Sequence, residues 1–406
     1  MTVLHSSLPL GFPTSRLSYP RFTVTGSIPL PFTKQKAKYH KELQAAVDVV
    51  ERACRLCVEV KKSLFSTEGK ILEKTDQTPV TIADFGVQAL VSLELEKLFP
   101  SIPLVAEEDS AFLRSNNLAN SVLDVVTEKA KISGKPLTEA DVLEAIDRGG
   151  KDAFVFGSSP ATYWVLDPID GTKGFLKGTE ALYVVGLSLV VEGDVVLGVM
   201  GCPNWQEEDC SKLINEIQEY KDVIAQLGVV MVAHVGCGTW KMRLNDISSN
   251  TTNLADSWIR CFVDKYSMIN EARFCISDSQ LWESLPLSNS FDATIDMENV
   301  SENEILLLPL CCGSLCKYLM VASGRASVFI LRSRVDRIIK VWDHAVGIIC
   351  VQEAGGMVTD WEGSKIDLAA DQDDRRALFP SGGVLVTNRS VHDQILGLIS
   401  SSKSLA

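Results

Sequence analysis

The residues DPIDGTKGF at positions 167–175, preceded by TYWVL at 162–166, decide which fold we expect for this chain. The mostly apolar run predicts a buried strand, and the Asp-Pro and Asp-Gly pairs predict a sharp turn that leads into a helix. In α/β proteins, ligand sites lie at the carboxyl ends of strands. Asp-Pro and Asp-Gly are also ordinary turn dipeptides, so a plain turn is the alternative unless other carboxylates join this pair.

The two aspartates of this motif suit a hard cation. Such a turn can direct both carboxylates and one backbone carbonyl toward a single point, and Mg²⁺ binds a few such oxygens while it keeps several waters. The amides from Gly171 onward would open a helix, whose N-terminus favours phosphate. The motif therefore predicts a site for magnesium and phosphate at the end of this strand.

Composition limits the class of protein. The chain has 406 residues, 46% hydrophobic and 22% charged, which predicts either two domains or one large layered α/β unit. Its formal charge of −13 argues against a nucleic-acid polymer as partner. No apolar run reaches the length of about 18 residues that a membrane span needs, so no membrane partner is expected. Nothing in the sequence indicates an obligate protein partner.

The first 41 residues differ from the rest of the chain. They contain six Lys or Arg and no Asp or Glu, and they are rich in Ser, Thr and Pro. This composition predicts an organellar transit peptide over residues 1–41, for the mitochondrion or the chloroplast, with a disordered basic tail as the alternative. We divide the remainder into an N-terminal α+β domain at 42–205 and a C-terminal α/β domain at 206–406, because a polar helical stretch at 212–227 follows a strand hairpin.

Eleven cysteines are scattered along the chain without a disulfide framework. An odd count without a secretory signal predicts reduced thiols. Cys54 and Cys57 form a C-x-x-C pair but lie on the apolar face of a predicted helix at 40–66, so we interpret them as core residues. No partner pair with zinc spacing occurs elsewhere, so zinc is not expected.

Acidic residues occur at the ends of several predicted elements. Asp84 lies early in a helix predicted at 81–99, Glu107 follows a strand predicted at 102–106, and Asp343 begins a helix predicted at 342–353. Each has an ordinary interpretation, either as a partner of the helix dipole or as a solvated loop acid. Their joint position beside the opening motif favours one shared site, although the sequence alone does not show that they converge.

Three motifs carry a specific resemblance that spans most of the chain. They are KTDQTPVTIAD at 74–84, VAEED at 105–109 together with DPIDGTKGF, and WDHAVGIICVQEAGG at 342–356. Together they resemble the lithium-sensitive, magnesium-dependent phosphatase superfamily of inositol monophosphatase, fructose-1,6-bisphosphatase and the 3′(2′),5′-bisphosphate nucleotidases. The resemblance implies a layered α/β/α/β/α sandwich with the site at the junction of its two halves.

The resemblance also implies roles for individual residues. Asp84 and Thr172 correspond to the pair that orients the attacking water. The implied ligands of two to three Mg²⁺ ions are Glu107, Asp167, the carbonyl of Ile169, Asp170 and Asp343. The implied substrate-binding residues are Gly171, Thr172, Ser314, Lys317 and Arg332.

Several details resemble the nucleotidase branch. These are the 60-residue interval between Glu107 and Asp167, which contains a capped helix starting at Thr138, and the motifs TKGF, GVMGCPN and WDHA. The implied substrate is 3′-phosphoadenosine 5′-phosphate, hydrolysed to AMP and phosphate. The alternatives are an inositol phosphate phosphatase, such as one acting on inositol 1,4-bisphosphate, and a catalytically silent nucleotide sensor.

One segment departs from the pattern of that branch. Residues 274–287, FCISDSQLWESLPL, contain no histidine where the nucleotidases have a histidine-containing loop that contacts the nucleotide. Trp282 could stack on a base instead. The alternative is that Trp282 is a buried core residue.

Overall fold

Two β-sheets and three layers of helices form the fold. The computed structural model describes residues 27–66, 72–73, 79–130, 136–159, 161–177, 181–206, 228–248, 254–277, 279–296, 300–301 and 303–403. The α-helices in these ranges are α1 His40–Ser66, α2 Ile82–Leu98, α3 Ala111–Asn116, α4 Ala119–Lys129, α5 Glu139–Asp147, α6 Thr172–Leu176, α7 Leu244–Ser248, α8 Leu315–Ala322, α9 Ala345–Glu353 and α10 His392–Lys403.

The first sheet has seven strands in chain order and carries the opening motif. Its strands are β3 Leu104–Ala106, β4 Tyr163–Asp170, β5 Val184–Val191, β6 Asp194–Cys202, β7 Val229–His234, β8 Gly238–Arg243 and β9 Ile259–Arg260. Strand β4 is parallel to β3 and antiparallel to β5. All eight residues of β4 are buried because helices cover both faces of the sheet.

The second sheet has six strands, which are β10 Arg273–Ser277, β11 Asp292–Thr294, β12 Glu304–Leu310, β13 Val328–Arg332, β15 Met357–Asp360 and β17 Gly383–Thr387. Their order across the sheet is β11-β12-β10-β13-β17-β15. Two short ribbons complete the strands. They are β1 Leu72–Glu73 with β2 Pro79–Val80, and β14 Ile339–Lys340 with β16 Ala377–Leu378.

The helices separate and cover these sheets. Helix α1 packs on α2 and on strands of the first sheet, while α8 and α9 lie between the two sheets and contact strands of both. Helix α10 covers the far face of the second sheet, where Ile395 and Ile399 join a core cluster with Phe274. This arrangement confirms the expected α/β/α/β/α sandwich.

The boundary between the two sheets differs from the one expected at residue 205. Strands β7 to β9 extend the first sheet to Arg260, and the second sheet begins at Arg273. The hydrogen-bonded pairing of β6 with β7 joins residues on either side of 205, which local composition does not reveal. The helical stretch predicted at 212–227 lies outside the described residues.

Residues 27–39 are packed against the body of the protein, although the predicted leader includes them. Ile28 is buried and its amide donates to Asp48 Oδ1 at 3.2 Å, and the Tyr39 amide donates to His234 Nε2 at 3.1 Å. Helix α1 starts at His40, before the expected boundary at 41. The leader predicted from basic composition therefore includes residues that belong to the folded part of the protein.

The cysteines follow the expectation in part. Cys54 and Cys57 are buried in the core between α1, α2 and the first sheet, as predicted. Cys311 and Cys312, in the turn before α8, are joined by a disulfide bond, so the expectation of reduced thiols is wrong for this pair. The two are neighbours in a turn where Cys312 has a φ of +63°.

None of the described helices is long and apolar enough to cross a membrane.

A glycine in α9 allows the two central helices to approach closely. A Cβ added at Gly347 would lie 2.2 Å from the ring of the fully buried Tyr318 in α8.

Gly347→Ala should therefore lower the free energy of unfolding by about 1–3 kcal/mol through overpacking, measured by urea denaturation. The matched control is Gly397→Ala in α10, where an added Cβ meets nothing within 4 Å. That change should raise stability by about 0.5–1 kcal/mol, and equal effects of the two changes would contradict this packing.

Candidate active site

Strand β4 delivers its two aspartates to one edge of the first sheet. Its pairing with β5 is regular up to Asp167 opposite Gly186, and it resumes only at Asp170 opposite Val184, after an irregularity at Pro168 and Ile169. A bulge re-aims side chains at a strand end. Gly171 then takes a φ of +89° and precedes the short helix α6. Non-glycine residues rarely adopt this φ, so the turn depends on glycine.

Asp170 lies against the beginning of α8. Its Oδ1 accepts from the Ser314 amide at 3.0 Å and its Oδ2 accepts from the Leu315 amide at 2.7 Å. The approach is close, because a Cβ at Gly313 would lie 2.3 Å from Asp170 Oδ2. Burial raises the pKa of Asp170 to about 6, while the Lys317 ammonium and the two amides act in the opposite direction.

Three carboxylates converge at this edge. Oxygen atoms of Asp167, Asp170 and Asp343 lie within 4.8 Å of one another. Burial, followed by the charges of Glu107 and Asp170, raises the pKa of Asp167 well above its usual range. Burial and the charges of Asp170 and Glu107 do the same for Asp343. Glu107, immediately after β3, lines the same cleft, so the structure brings all four acids to one edge.

This cluster fits a divalent cation. Asp167 Oδ1 is buried and has no hydrogen-bond partner among the described residues, which is costly for a carboxylate oxygen. Burial and, after it, the repulsion between closely spaced carboxylates raise the pKa values of Asp167 and Asp343. Carboxylate oxygens are the ligands that hard cations such as Mg²⁺ prefer. A bound cation would give the orphaned oxygen a partner and neutralise the repulsion.

Asp84 and Thr172 are in contact, although 88 residues separate them. Asp84 belongs to a capping box at the start of α2, where the Thr81 amide and hydroxyl each donate to Asp84 Oδ2 at 2.7 Å. Its other oxygen, Oδ1, accepts from Thr172 Oγ1 at 3.1 Å. Thr172 Oγ1 also lies 3.2 Å from the carbonyl oxygen of Ile169. The helix cap therefore fixes a carboxylate that orients a hydroxyl beside the acidic cluster.

The acidic cluster lies in a cleft of about 780 Å³ between the two halves. Ser314, Lys317 and Arg332, expected to bind substrate, all line it, as does Gly171. Lys317 is buried and its Nζ donates to the Gly313 carbonyl at 2.5 Å, so it lies at the floor of the cleft. A helix-surface lysine would have been exposed, and the sequence did not indicate this burial.

The outer wall of the cleft contains residues that the sequence analysis missed. Gln280 donates to the Ile330 carbonyl at 2.9 Å and accepts from the Arg332 amide at 2.9 Å, which joins Gln280 to β13. Arg332 is exposed, and its Nη1 donates to the Ser284 carbonyl at 2.5 Å. Trp282 is buried and donates to the Phe291 carbonyl at 3.1 Å, so the core interpretation of this residue holds. No sequence signal identified Gln280, because its role depends on a neighbouring strand.

Comparisons with known proteins agree with this geometry. A model of the inositol monophosphatase family matches residues 39–404. An Arabidopsis thaliana protein, whose name gives it provisionally as a mitochondrial 3′(2′),5′-bisphosphate nucleotidase, is 64% identical over 92% of this chain and 90% of its own length. The 3′,5′-bisphosphate nucleotidase 2 of the same plant is 33% identical over 90% of this chain and 97% of its own.

Solved structures give the same fold at low identity. An IMPase of Thermotoga maritima covers 90% of this chain and 99% of its own, with a TM-score of 0.52 at 19% identity. That likeness concerns the fold alone, whereas the family model and the plant relatives cover nearly the whole folded chain. The chain therefore belongs to the inositol monophosphatase family, a family of metal-dependent phosphatases that act on small phosphorylated molecules.

Proposed function

We propose that this chain is a magnesium-dependent 3′(2′),5′-bisphosphate nucleotidase that hydrolyses the 3′-phosphate of 3′-phosphoadenosine 5′-phosphate to AMP and phosphate. The observation that carries the proposal is the convergence of Asp167, Asp170 and Asp343 beside the Thr172–Asp84 contact. The 64% identity to a relative that bears the nucleotidase name supports the choice of substrate. A cleft of about 780 Å³ is within the usual size range of small-molecule sites.

The metal would be held by the acidic edge of the first sheet. We assign two or three Mg²⁺ ions to a ligand set consisting of Glu107, Asp167, the carbonyl of Ile169, Asp170 and Asp343. Bound Mg²⁺ supplies neutralisation of the phosphate dianion and lowers the pKa of an attacking water. The four carboxylates would balance the charge of two such ions, and a third ion would leave positive charge to face the phosphate dianion. The α8 amides keep the Asp170 carboxylate in a fixed orientation.

Thr172 and Asp84 would orient the nucleophile. Asp84 Oδ2 is occupied by Thr81, so Oδ1 is the oxygen that accepts the Thr172 proton. With its hydrogen directed to Asp84, Thr172 Oγ1 presents a lone pair that can accept a hydrogen bond from a water. Thr172 and Asp84 together can therefore hold the water. Thr172 can take up the water's proton while its own proton passes to Asp84 Oδ1, so no strong base is needed.

The remaining assignments concern the substrate. We place the scissile phosphate beside Gly171 and Thr172, at the turn after β4. Ser314 and Lys317 on the floor and Arg332 on the wall would contact the nucleotide and its 5′-phosphate, since a guanidinium and an ammonium both bind phosphate oxygens.

We also propose an organellar location, in mitochondrion or chloroplast. The basic leader and the mitochondrial name of the 64% identical relative support it. The packing of Ile28 and Tyr39 against the body argues that any removed leader ends before Ile28.

A substrate panel tests the function. Phosphate release should be fastest from 3′-phosphoadenosine 5′-phosphate, when compared with inositol 1-phosphate and inositol 1,4-bisphosphate, each with and without Mg²⁺ and with added Li⁺. We expect release to require Mg²⁺ and to be inhibited by Li⁺. Turnover of inositol phosphates alone would overturn the nucleotidase assignment, and tight binding without release would indicate a sensor.

Thr172 provides a test of the proton path. Thr172→Val keeps the side-chain shape but removes the hydroxyl that contacts Asp84, so kcat should fall by about 10²–10⁴ with little change in KM. Thr172→Ser is the matched control, because it keeps a hydroxyl at this position, and it should retain activity within about tenfold of wild type. Steady-state kinetics on the preferred substrate would reveal the difference. A Val variant with wild-type kcat would exclude Thr172 from the reaction.

Asp343 provides a test of the metal assignment. Asp343→Asn is cleaner than the same change at Asp170, where an amide could accept only one of the two backbone hydrogen bonds. Loss of a ligand should reduce activity by about a hundredfold or more. Mg²⁺-dependent phosphate release measures this loss, and full activity in the variant would exclude Asp343 as a ligand.

The same variant should change the pH dependence of stability. In metal-free protein the pKa of Asp343 is raised, so ionising it costs stability as pH rises above the ordinary aspartate pKa of about 3.9. Asparagine does not titrate. The stability of Asp343→Asn relative to wild type should therefore increase from pH 4 to pH 8, by about 1.4 kcal/mol for each unit of raised pKa. Urea unfolding in EDTA measures it, and a constant difference across this range would contradict the repulsion.

A further inference from the structure

Two adjacent arginines in the segment between α9 and β17 make contacts that the site described above does not use. In the sequence, DQDDRR at 371–376 is typical of a solvated charged turn. In the structure, Arg375 is fully buried and Arg376 is partly buried. Both guanidinium groups donate to backbone carbonyls of distant segments, and that of Arg375 also donates to the Ala369 and Asp371 carbonyls of its own turn.

Arg376 holds the end of β3, immediately before Glu107. Its Nη1 and Nη2 donate to the Ala106 carbonyl at 2.8 and 2.6 Å, and Nη1 also donates to the Gly149 carbonyl at 3.2 Å. The Ala106 amide donates to the same Gly149 carbonyl at 2.9 Å. Both backbone polar groups of the residue before Glu107 are therefore fixed, and a fixed backbone limits where the Glu107 carboxylate can lie.

Arg376 also holds the segment that leads to Asp343. Its guanidinium lies over the Trp342 ring, 4.9 Å from the centroid, and its carbonyl accepts from the Val341 amide at 2.9 Å. The β14–β16 ribbon continues this contact, with Lys340 opposite Ala377. One residue thus contacts the residue before Glu107 and the residue before Asp343.

The turn that presents Arg376 is itself held in place. Asp371 Oδ2 accepts from the Arg376 and Ala377 amides, both at 2.9 Å. Arg375, the preceding residue, donates to the Gly157 and Ser159 carbonyls at 2.7 and 2.8 Å. The turn is therefore fixed from two sides, and its position does not depend on contacts with the acidic cluster.

We propose that Arg376 is a positioning residue that sets the distance between Glu107 and Asp343, and through them the affinity of the acidic site for its divalent cation. The proposal rests on the function proposed above, because it takes both acids as metal ligands. Arg376 is not among the residues that line the cleft. It acts through the backbone of Ala106 and the ring of Trp342.

Lysine should not replace arginine here. A guanidinium is planar, offers several donors in a fixed fork and can stack on an aromatic ring while it donates in its plane. A lysine ammonium keeps the positive charge near Glu107 but has no planar fork. It cannot donate two hydrogen bonds to the Ala106 carbonyl while it stacks on the Trp342 ring. Arg376→Lys therefore separates the geometric effect from the electrostatic one.

Arg375→Lys is the matched control. It makes the same chemical change one residue earlier, and the contacts that it alters join Arg375 to carbonyls of its own turn and of residues 157–159, not to Ala106. A general loosening of the turn would affect both variants alike. A positioning role would weaken Mg²⁺ binding mainly in Arg376→Lys, because Asp371 still holds the Arg376 amide in Arg375→Lys.

The experiment is a calorimetric titration of the full-length protein with MgCl₂ in the absence of substrate, together with steady-state kinetics at several Mg²⁺ concentrations. Arg376→Lys should weaken Mg²⁺ binding by about 10–100-fold, as is usual when a group that orients a ligand is changed. High Mg²⁺ should restore much of its kcat. Arg375→Lys should lose stability in urea while its Mg²⁺ dissociation constant stays within about twofold of wild type.

Other outcomes overturn the proposal. An unchanged Mg²⁺ affinity in Arg376→Lys, or an equal loss in both variants, would show a merely structural role. If Arg376→Lys does not fold, Trp342→Phe carries the same test, because it reduces the stacking surface and should weaken Mg²⁺ binding in the same direction. Failure of the wild-type protein to bind Mg²⁺ would instead overturn the proposed function, so the two failures are distinguishable.

Discussion

The confinement of several negative charges at one buried edge is the constraint on which the rest of this structure depends. Asp167, Asp170 and Asp343 lie within 4.8 Å of one another, and burial with mutual repulsion raises their pKa values. Buried like charges are costly unless nearby groups compensate them. The α8 amides and Lys317 compensate Asp170 in part, while Asp167 Oδ1 finds no hydrogen-bond partner in the part of the chain that the structure describes. Burial and repulsion of these carboxylates therefore lower the stability of the fold at the position where a cation and a phosphate would bind. Loss of stability at a functional site is common in proteins.

Much of this site could be predicted from local sequence. A buried strand that ends in DPIDG has few alternatives to a sharp turn, and Thr81 with Asp84 forms the helix cap that its spacing indicates. The core position of Cys54 and Cys57 also followed from apolar periodicity, whereas the order of layers came from the family resemblance. The contact between Asp84 and Thr172 was different, because its atoms come from elements 88 residues apart and only the family resemblance suggested it.

Three features of the structure could not be read from local composition. Arg376 belongs to a run that has the composition of a solvated turn, yet its environment is decided by Ala106 and Trp342. Lys317 lies on a helix in a motif that favours exposure, but the second sheet covers it. Residues 27–39 have the basic composition of a leader, although Ile28 and Ala37 are buried. In each case long-range packing overrides a local preference.

The amide contacts of Asp170 have a consequence for biosynthesis. A chain is made from its N-terminus, so the complete first sheet, which ends at Arg260, is synthesised before the Ser314 and Leu315 amides exist. Until α8 arrives, Asp170 lacks the groups that offset its burial, and the acidic edge of that sheet favours contact with water. We therefore expect the acidic edge of the first half to stay hydrated until α8 is synthesised. Packing of α8 against Asp170 would be the step that excludes water from this edge.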